Sequence, residues 1–149
     1  MIDAQTRDLL QDIVRRESRS VLTYVGDAYP WTTARDSRAV DALRKLIAAE
    51  AGAVTELGRF LFRRHMPVVS LGSYPSSYTS MNFVALEYLL PRLIDYERRS
   101  TAELERDLAA VGDPEARAAV EKLLAVKRRN LPALEGLAAR QPKAEEVVT

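Results

Sequence analysis

Three glutamates stand where a helical chain ordinarily places leucine. Glu17 falls in the stripe Leu10, Val14, Glu17, Val21, Tyr24; Glu50 in the stripe Leu43, Leu46, Glu50, Val54, Leu57; Glu97 in the stripe Leu90, Leu93, Glu97, Leu104. Each has core residues on both sides at helical spacing. A carboxylate in such a position is costly unless it is paired, hydrogen-bonded or bound to a metal. One glutamate on each of three consecutive segments describes a set of acids converging on one interior site. A fourth segment adds Lys127 and Asn130, one helical turn apart, in the middle of a face that otherwise runs Leu123, Leu124, Leu131, Leu134 and Leu137. Carboxylates could hold a hard cation, and an ammonium among them could take the cation's place.

Composition narrows the chemistry further. The 149 residues include no cysteine and a single histidine, His65. Thiolate chemistry, disulfides, Cys-based metal sites and multi-histidine metal sites are thereby excluded. The formal net charge is +1, which gives no bulk attraction for nucleic acid or a membrane surface. Apolar residues make up 47% and charged residues 29%, an ordinary balance for a globular domain with a real core. The N-terminal stretch MIDAQTRDLLQD lacks the apolar segment of a secretory signal. No apolar run reaches the roughly 18 residues needed to span a bilayer. A cytoplasmic protein without nucleic-acid or membrane partners is expected.

Four segments of helical periodicity must position these residues, and no alternating strand pattern competes with them. The first spans about 4–28, capped by Asp3 and stopped by Pro30. The second spans about 37–64, capped by Asp36 or Ser37. The third spans about 81–110, where Pro91 predicts a kink or a later start. Gly112-Asp113-Pro114-Glu115 is a stop, an N-cap and a first-turn proline in sequence, so the fourth spans about 114–139, with a bend predicted at Pro132. A bundle domain over 1–140 and a polar tail over 141–149 follow. The short first and third connections suit antiparallel neighbours, and the long link after the second suits a crossover. That link, over 66–82, carries Tyr74, Tyr78 and Met81, with Phe83 just beyond. It is either a cover for the bundle or a binding surface.

The segments RRESRSVLTY, AAEAGAVTELGRFL, LIDYERRSTAELERDL and LLAVKRRNLPALEGL together resemble the ferritin-like di-iron carboxylate superfamily, of the bacterioferritin and rubrerythrin type, over most of residues 5–138. The resemblance implies an all-α, antiparallel four-helix bundle with a long crossover between the second and third helices. It implies Glu17, Glu50 and Glu97 as ligand positions, with Tyr24 one heptad beyond Glu17. The departures are specific. Ala53 stands where the second helix would carry histidine, and Lys127 and Asn130 stand where the fourth would carry Glu-x-x-His. A degenerate, metal-free site without a cofactor is therefore expected, with Lys127 neutralising part of the glutamates' charge and Asn130 adding a hydrogen bond. Any metal would rest on Glu17, Glu50 and Glu97 alone. The function expected is that of a non-catalytic scaffold, or a protein that binds a partner or a small anionic ligand anchored at Lys127. The alternative is a metal-binding or di-iron-type oxidoreductase or iron-handling protein with an atypical glutamate-rich site. By the same resemblance, a homodimer would form through the first and second helices.

Overall fold

Asp3 opens the chain's first helix as an N-cap: its Oδ1 accepts the Thr6 backbone N–H at 2.7 Å. In the computed structural model, which describes residues 2–28, 36–82 and 84–141, that helix is α1, Ala4–Ser18. It is followed by α2, Val21–Asp27; α3, Ser37–Arg63; a 3-10 turn, Ser76–Met81; α4, Leu86–Ala109; and α5, Pro114–Ala139. The chain is all-helical, with no strand among the described residues. No helix among them is long and apolar enough to cross a membrane.

The first periodic segment, expected as one helix over 4–28, is two. The backbone N–H groups of Arg19 and Ser20 reach back only three residues, to the Arg16 and Glu17 carbonyls. Ser20 then restarts the helix: its hydroxyl accepts the Thr23 N–H at 3.1 Å and shares a second bond with the Thr23 hydroxyl. A serine side chain that caps a new helix competes with continuation of the old one. The apolar stripe survives because both pieces keep their apolar faces inward. Pro30, the expected stop, lies outside the described residues, as do Phe83 and the tail beyond residue 141.

The start of α5 follows its signal closely, whereas Asp36, at the start of α3, makes no side-chain capping bond to that helix. Asp113 caps α5 by accepting the Ala116 N–H, with Pro114 in the first turn. The third segment starts late, at Leu86, so Pro91 falls in the second turn of α4. α5 continues unbroken through Pro132. At the end of α3, Met66 N–H bonds the Leu61 carbonyl and His65 N–H bonds the Phe62 carbonyl. This paired closure requires a left-handed residue after the cap, and His65 takes it with a φ of +62°.

The link after α3 lies along α1 and α2 in chain order. The Gln11 side chain donates to the Met66 and Pro67 carbonyls, and Arg15 donates to Ser70 O. Farther along, Tyr74 and Tyr78 pack edge-on against Tyr24, with ring centroids 5.2 and 5.6 Å away. Tyr24 donates its hydroxyl to Asn82 Oδ1.

The core is in two parts. One apolar cluster gathers Leu10, Ile13, Leu57, Leu61, Leu104 and Leu123 with their neighbours. The other gathers Leu22, Leu43, Leu89, Leu93, Leu134 and Leu137 with theirs. Along α1–α2, α3, α4 and α5 alike, the positions between the two clusters are occupied by Glu17, Glu50, Glu97, Ser100, Lys127 and Asn130, all buried.

Replacing His65 by glycine removes the cost of a Cβ in the left-handed region, at an exposed site that forms no part of the core. His65→Gly is expected to raise stability by up to about 1 kcal/mol in denaturant unfolding. An unchanged or lowered midpoint would show that the turn carries no such strain.

Candidate functional site: a buried ionic layer

Lys127 is the largest fully buried side chain among the described residues, at 0% exposure. Its place on α5, one turn from Leu123 and two from Leu134, aims it into the core. The ammonium Nζ lies 2.8 Å from Glu17 Oε2, 3.1 Å from Glu97 Oε1 and 2.7 Å from Ser100 Oγ. An ammonium has three hydrogens, and these three partners use them. Glu50 Oε2 is farther, at 3.7 Å. Burial by itself would lower the Lys127 pKa, but the charges of Glu17, Glu50 and Glu97 overturn that and hold it above the usual lysine range.

The remaining bonds fix the carboxylates. Asn130 donates both amide hydrogens, to Glu50 Oε1 at 3.2 Å and to the Leu46 carbonyl at 3.0 Å. Ser100 accepts from Lys127 and donates to Glu17 Oε1 at 3.3 Å. Arg16 reaches Glu17 from the rim at 3.4 Å and is itself held by Glu103 at 3.2 Å and Asp107 at 2.9 Å. The Tyr96 hydroxyl, half-buried nearby, is pushed above its usual range by burial first and then by Glu17.

One ammonium cannot neutralise three buried carboxylates, and Glu50 is the one left without an N–H from Lys127. Its pKa is pushed up to about 8, chiefly by burial, then by a hydrogen bond to Glu97 and by Glu97's charge; Lys127 and Asn130 oppose the shift. The bonding pattern agrees. Glu97 Oε2 is fully buried and receives no N–H or hydroxyl among the described residues, which leaves Glu97 an acceptor open to a protonated Glu50. The excess of buried acid over ammonium thus falls on Glu50, which holds its proton well above the usual carboxylate range, with Arg16 at the edge of the layer.

The structure brings together Glu17, Glu50, Glu97, Lys127 and Asn130, as the helical stripes predict. It leaves out two of the residues grouped with them. Ala53 packs partly buried against the first apolar cluster. Tyr24 lies on α2 beyond the helix break, and its hydroxyl goes to Asn82 rather than to a carboxylate. His65 is exposed at the far end of α3. Ser100 and Arg16 belong to the site and were not picked out from the sequence. Ser100 was legible in principle: it sits three residues after Glu97 on the same inward stripe. Arg16 was not, since its neighbour Glu17 occupies the inward position and nothing in the local spacing turns the guanidinium toward it.

A metal ion does not fit this donor set. The carboxylate oxygens converge on the point held by Nζ, and no histidine side chain is present there. Among the described residues, no group of three or more Asp, Glu, His or Cys side chains is arranged to hold a metal ion. Beside the layer, a cleft of about 480 Å³ opens between the α1–α2 break and α4, lined by Arg16, Val21, Tyr78, Tyr96, Arg99 and Ser100. Ser100 is the only residue shared by the cleft and the layer's ammonium contacts. No protein-family model, curated protein or solved structure matches the chain.

The proton on Glu50 has a measurable sign. A folded-state pKa near 8 against about 4.5 unfolded means that the folded protein binds the extra proton between those values. Stability is therefore greatest below the unfolded pKa and falls as pH rises through the window, by at most about 1.4 kcal/mol per pH unit. Glu50→Gln keeps the donor and removes the titration. It is expected to flatten the Tm-versus-pH curve between pH 5 and pH 8, within about the limits set by that linkage. A wild-type curve parallel to that of the variant would eliminate the shared proton.

Proposed function

We propose that this protein is a metal-independent, non-catalytic bundle of ferritin-like descent that acts as a scaffold or binding module. In this reading, α1 and α2 are one broken rod, so that α1–α2, α3, α4 and α5 correspond to the four helices of such a bundle. The link from α3 to α4, laid along α1 and α2, corresponds to the crossover. The observation that carries the proposal is the position of Lys127 Nζ, 2.8 and 3.1 Å from two glutamates and fully buried. In a di-iron bundle the same central point is shared by metal ligands from all four helices. Here a covalently tethered cation from α5 holds the charges together, and a tethered ammonium offers neither an open coordination position nor a redox couple.

Two outcomes follow from that assignment. Lys127→Ala removes the central partner of a buried ion network and leaves its carboxylates uncompensated. A loss of about 3–5 kcal/mol is expected in chemical denaturation at neutral pH, and added iron or manganese should not restore it. A variant that melts with the wild type would overturn the internal cluster. Elemental analysis of protein purified from cells supplied with iron and manganese is expected to give well below stoichiometric metal. One or more equivalents per chain would instead favour the iron-handling reading.

A small-ligand role has a more specific location than Lys127. All three hydrogens of that ammonium are engaged, so it has none left for an anion. The cleft beside Tyr96 and Arg99 is large enough for a metabolite and meets the layer at Ser100 and Arg16.

A further inference from the structure

A second depression lies between α3 and α5. It has a volume of about 380 Å³, with Leu57, Phe60, Ala119 and Val126 among its lining. Its rims are charged: Glu56 and Arg63 on α3, Glu115 and Lys122 on α5. The two helices run antiparallel there, because the Arg64 guanidinium, at the end of α3, pairs with Glu115, at the start of α5, at 2.6 Å. Arg63 is thereby level with Glu115, and Glu56 with Lys122.

The spacing on the two rims is the same. Glu56 to Arg63 is seven residues, and so is Glu115 to Lys122. Seven residues make two turns, so each pair shares a helix face at a separation of about 10 Å. Each rim carries one acid and one base, and the order along the groove is reversed between rims. Within the chain, Glu56 pairs with Arg59 and Glu115 with Arg64. Arg63 and Lys122 make no ion pair among the described residues.

We propose that the occupant of this groove is a second copy of the chain, related by a two-fold axis lying in the plane of the face and perpendicular to α3 and α5. Such an axis lays each helix antiparallel over its own copy. Glu56 then meets the partner's Arg63, Glu115 meets the partner's Lys122, and symmetry repeats both contacts. The two bases that make no ion pair among the described residues gain one, around an apolar centre. This is the isologous arrangement that a two-fold dimer requires, with the same patch on both copies. An axis along the helices would also pair unlike charges, Glu56 over the partner's Lys122 and Arg63 over the partner's Glu115; the double exchanges within one rim tell the two apart, because they restore pairing only when each helix lies over its own copy. The face lies on the second and fourth helical segments, whereas the family resemblance implies the first and second. The proposal is independent of whether the ionic layer binds metal.

Sedimentation equilibrium of the full chain, over concentrations up to about 1 mM, tests the interface. A monomer–dimer equilibrium is expected, weakening with added salt because the contacts at its rim are charged. Lys122→Glu sets two acids against each other and is expected to weaken association by about tenfold or more. The double variant Glu115→Lys/Lys122→Glu exchanges the signs and should restore it. Arg63→Glu and the exchange Glu56→Arg/Arg63→Glu form a second, separate pair, so a folding defect in one variant leaves the other to decide. Wild-type protein that stays monomeric over the whole range would overturn the proposal. So would single reversals that leave the dimer intact, or double exchanges that fail to recover it while circular dichroism shows folded protein.

Discussion

The ammonium of Lys127 is the interaction on which the rest of the interior depends. It bonds glutamates on α1 and α4, lies 3.7 Å from Glu50 on α3, and belongs to α5, so a single atom draws every long helix to a common point. Few apolar contacts have that reach: a leucine touches its near neighbours, while this cation attracts carboxylates from three directions through a medium of low polarity. The cost is that the layer depends on its one central cation. Removing the ammonium leaves buried carboxylates without compensation, whereas the apolar clusters on either side lose stability by increments.

Several local features lie beside the layer. Helix α1 ends one residue after Glu17, and the chain restarts at Ser20. Asn130 spends both amide hydrogens on holding Glu50 and the Leu46 carbonyl, linking α5 to α3 beside the ionic contacts. Ser100 is small enough to admit the lysine and polar enough to bond it. Thr101 shares the same buried stretch of α4, and its hydroxyl has no hydrogen-bond partner. Polar residues on α4 thus extend beyond those that the ion cluster uses.

Much of this was readable in the residues. Glutamates in leucine stripes at 17, 50 and 97, with Lys127 and Asn130 in a fourth stripe, predict an interior polar cluster from helical periodicity alone, and the structure places all five together. The caps at Asp3 and Asp113 and the boundary at residues 112–115 depend on nearest neighbours, and local sequence was enough for them. The break at Arg19–Ser20 was missed because the apolar stripe runs across it without a change of phase. Periodicity reports which face is buried and is blind to a local change in hydrogen bonding. Tyr24 was misplaced for the same reason. Its spacing from Glu17 is that of one helix, whereas the partner of its hydroxyl, Asn82, comes from a link whose path no short-range pattern encodes. The proton on Glu50 was equally out of reach, since it depends on the count of hydrogens at Nζ and on distances between helices.

The division of the core into two apolar halves by one polar layer constrains how the helices align along their axes. Leucine-rich faces are nearly interchangeable from turn to turn, so a purely apolar α5 would pack almost as well after sliding by one turn, about 5.4 Å. With the layer present, such a slide would carry Lys127 in among leucines and strand three acids opposite an apolar side chain. The cluster therefore works as a register mark, in the way that a single buried polar residue fixes alignment in coiled coils. It selects one axial alignment of α5 against three other helices, and an ion bound from solvent, free to leave, would mark that alignment only while it stayed.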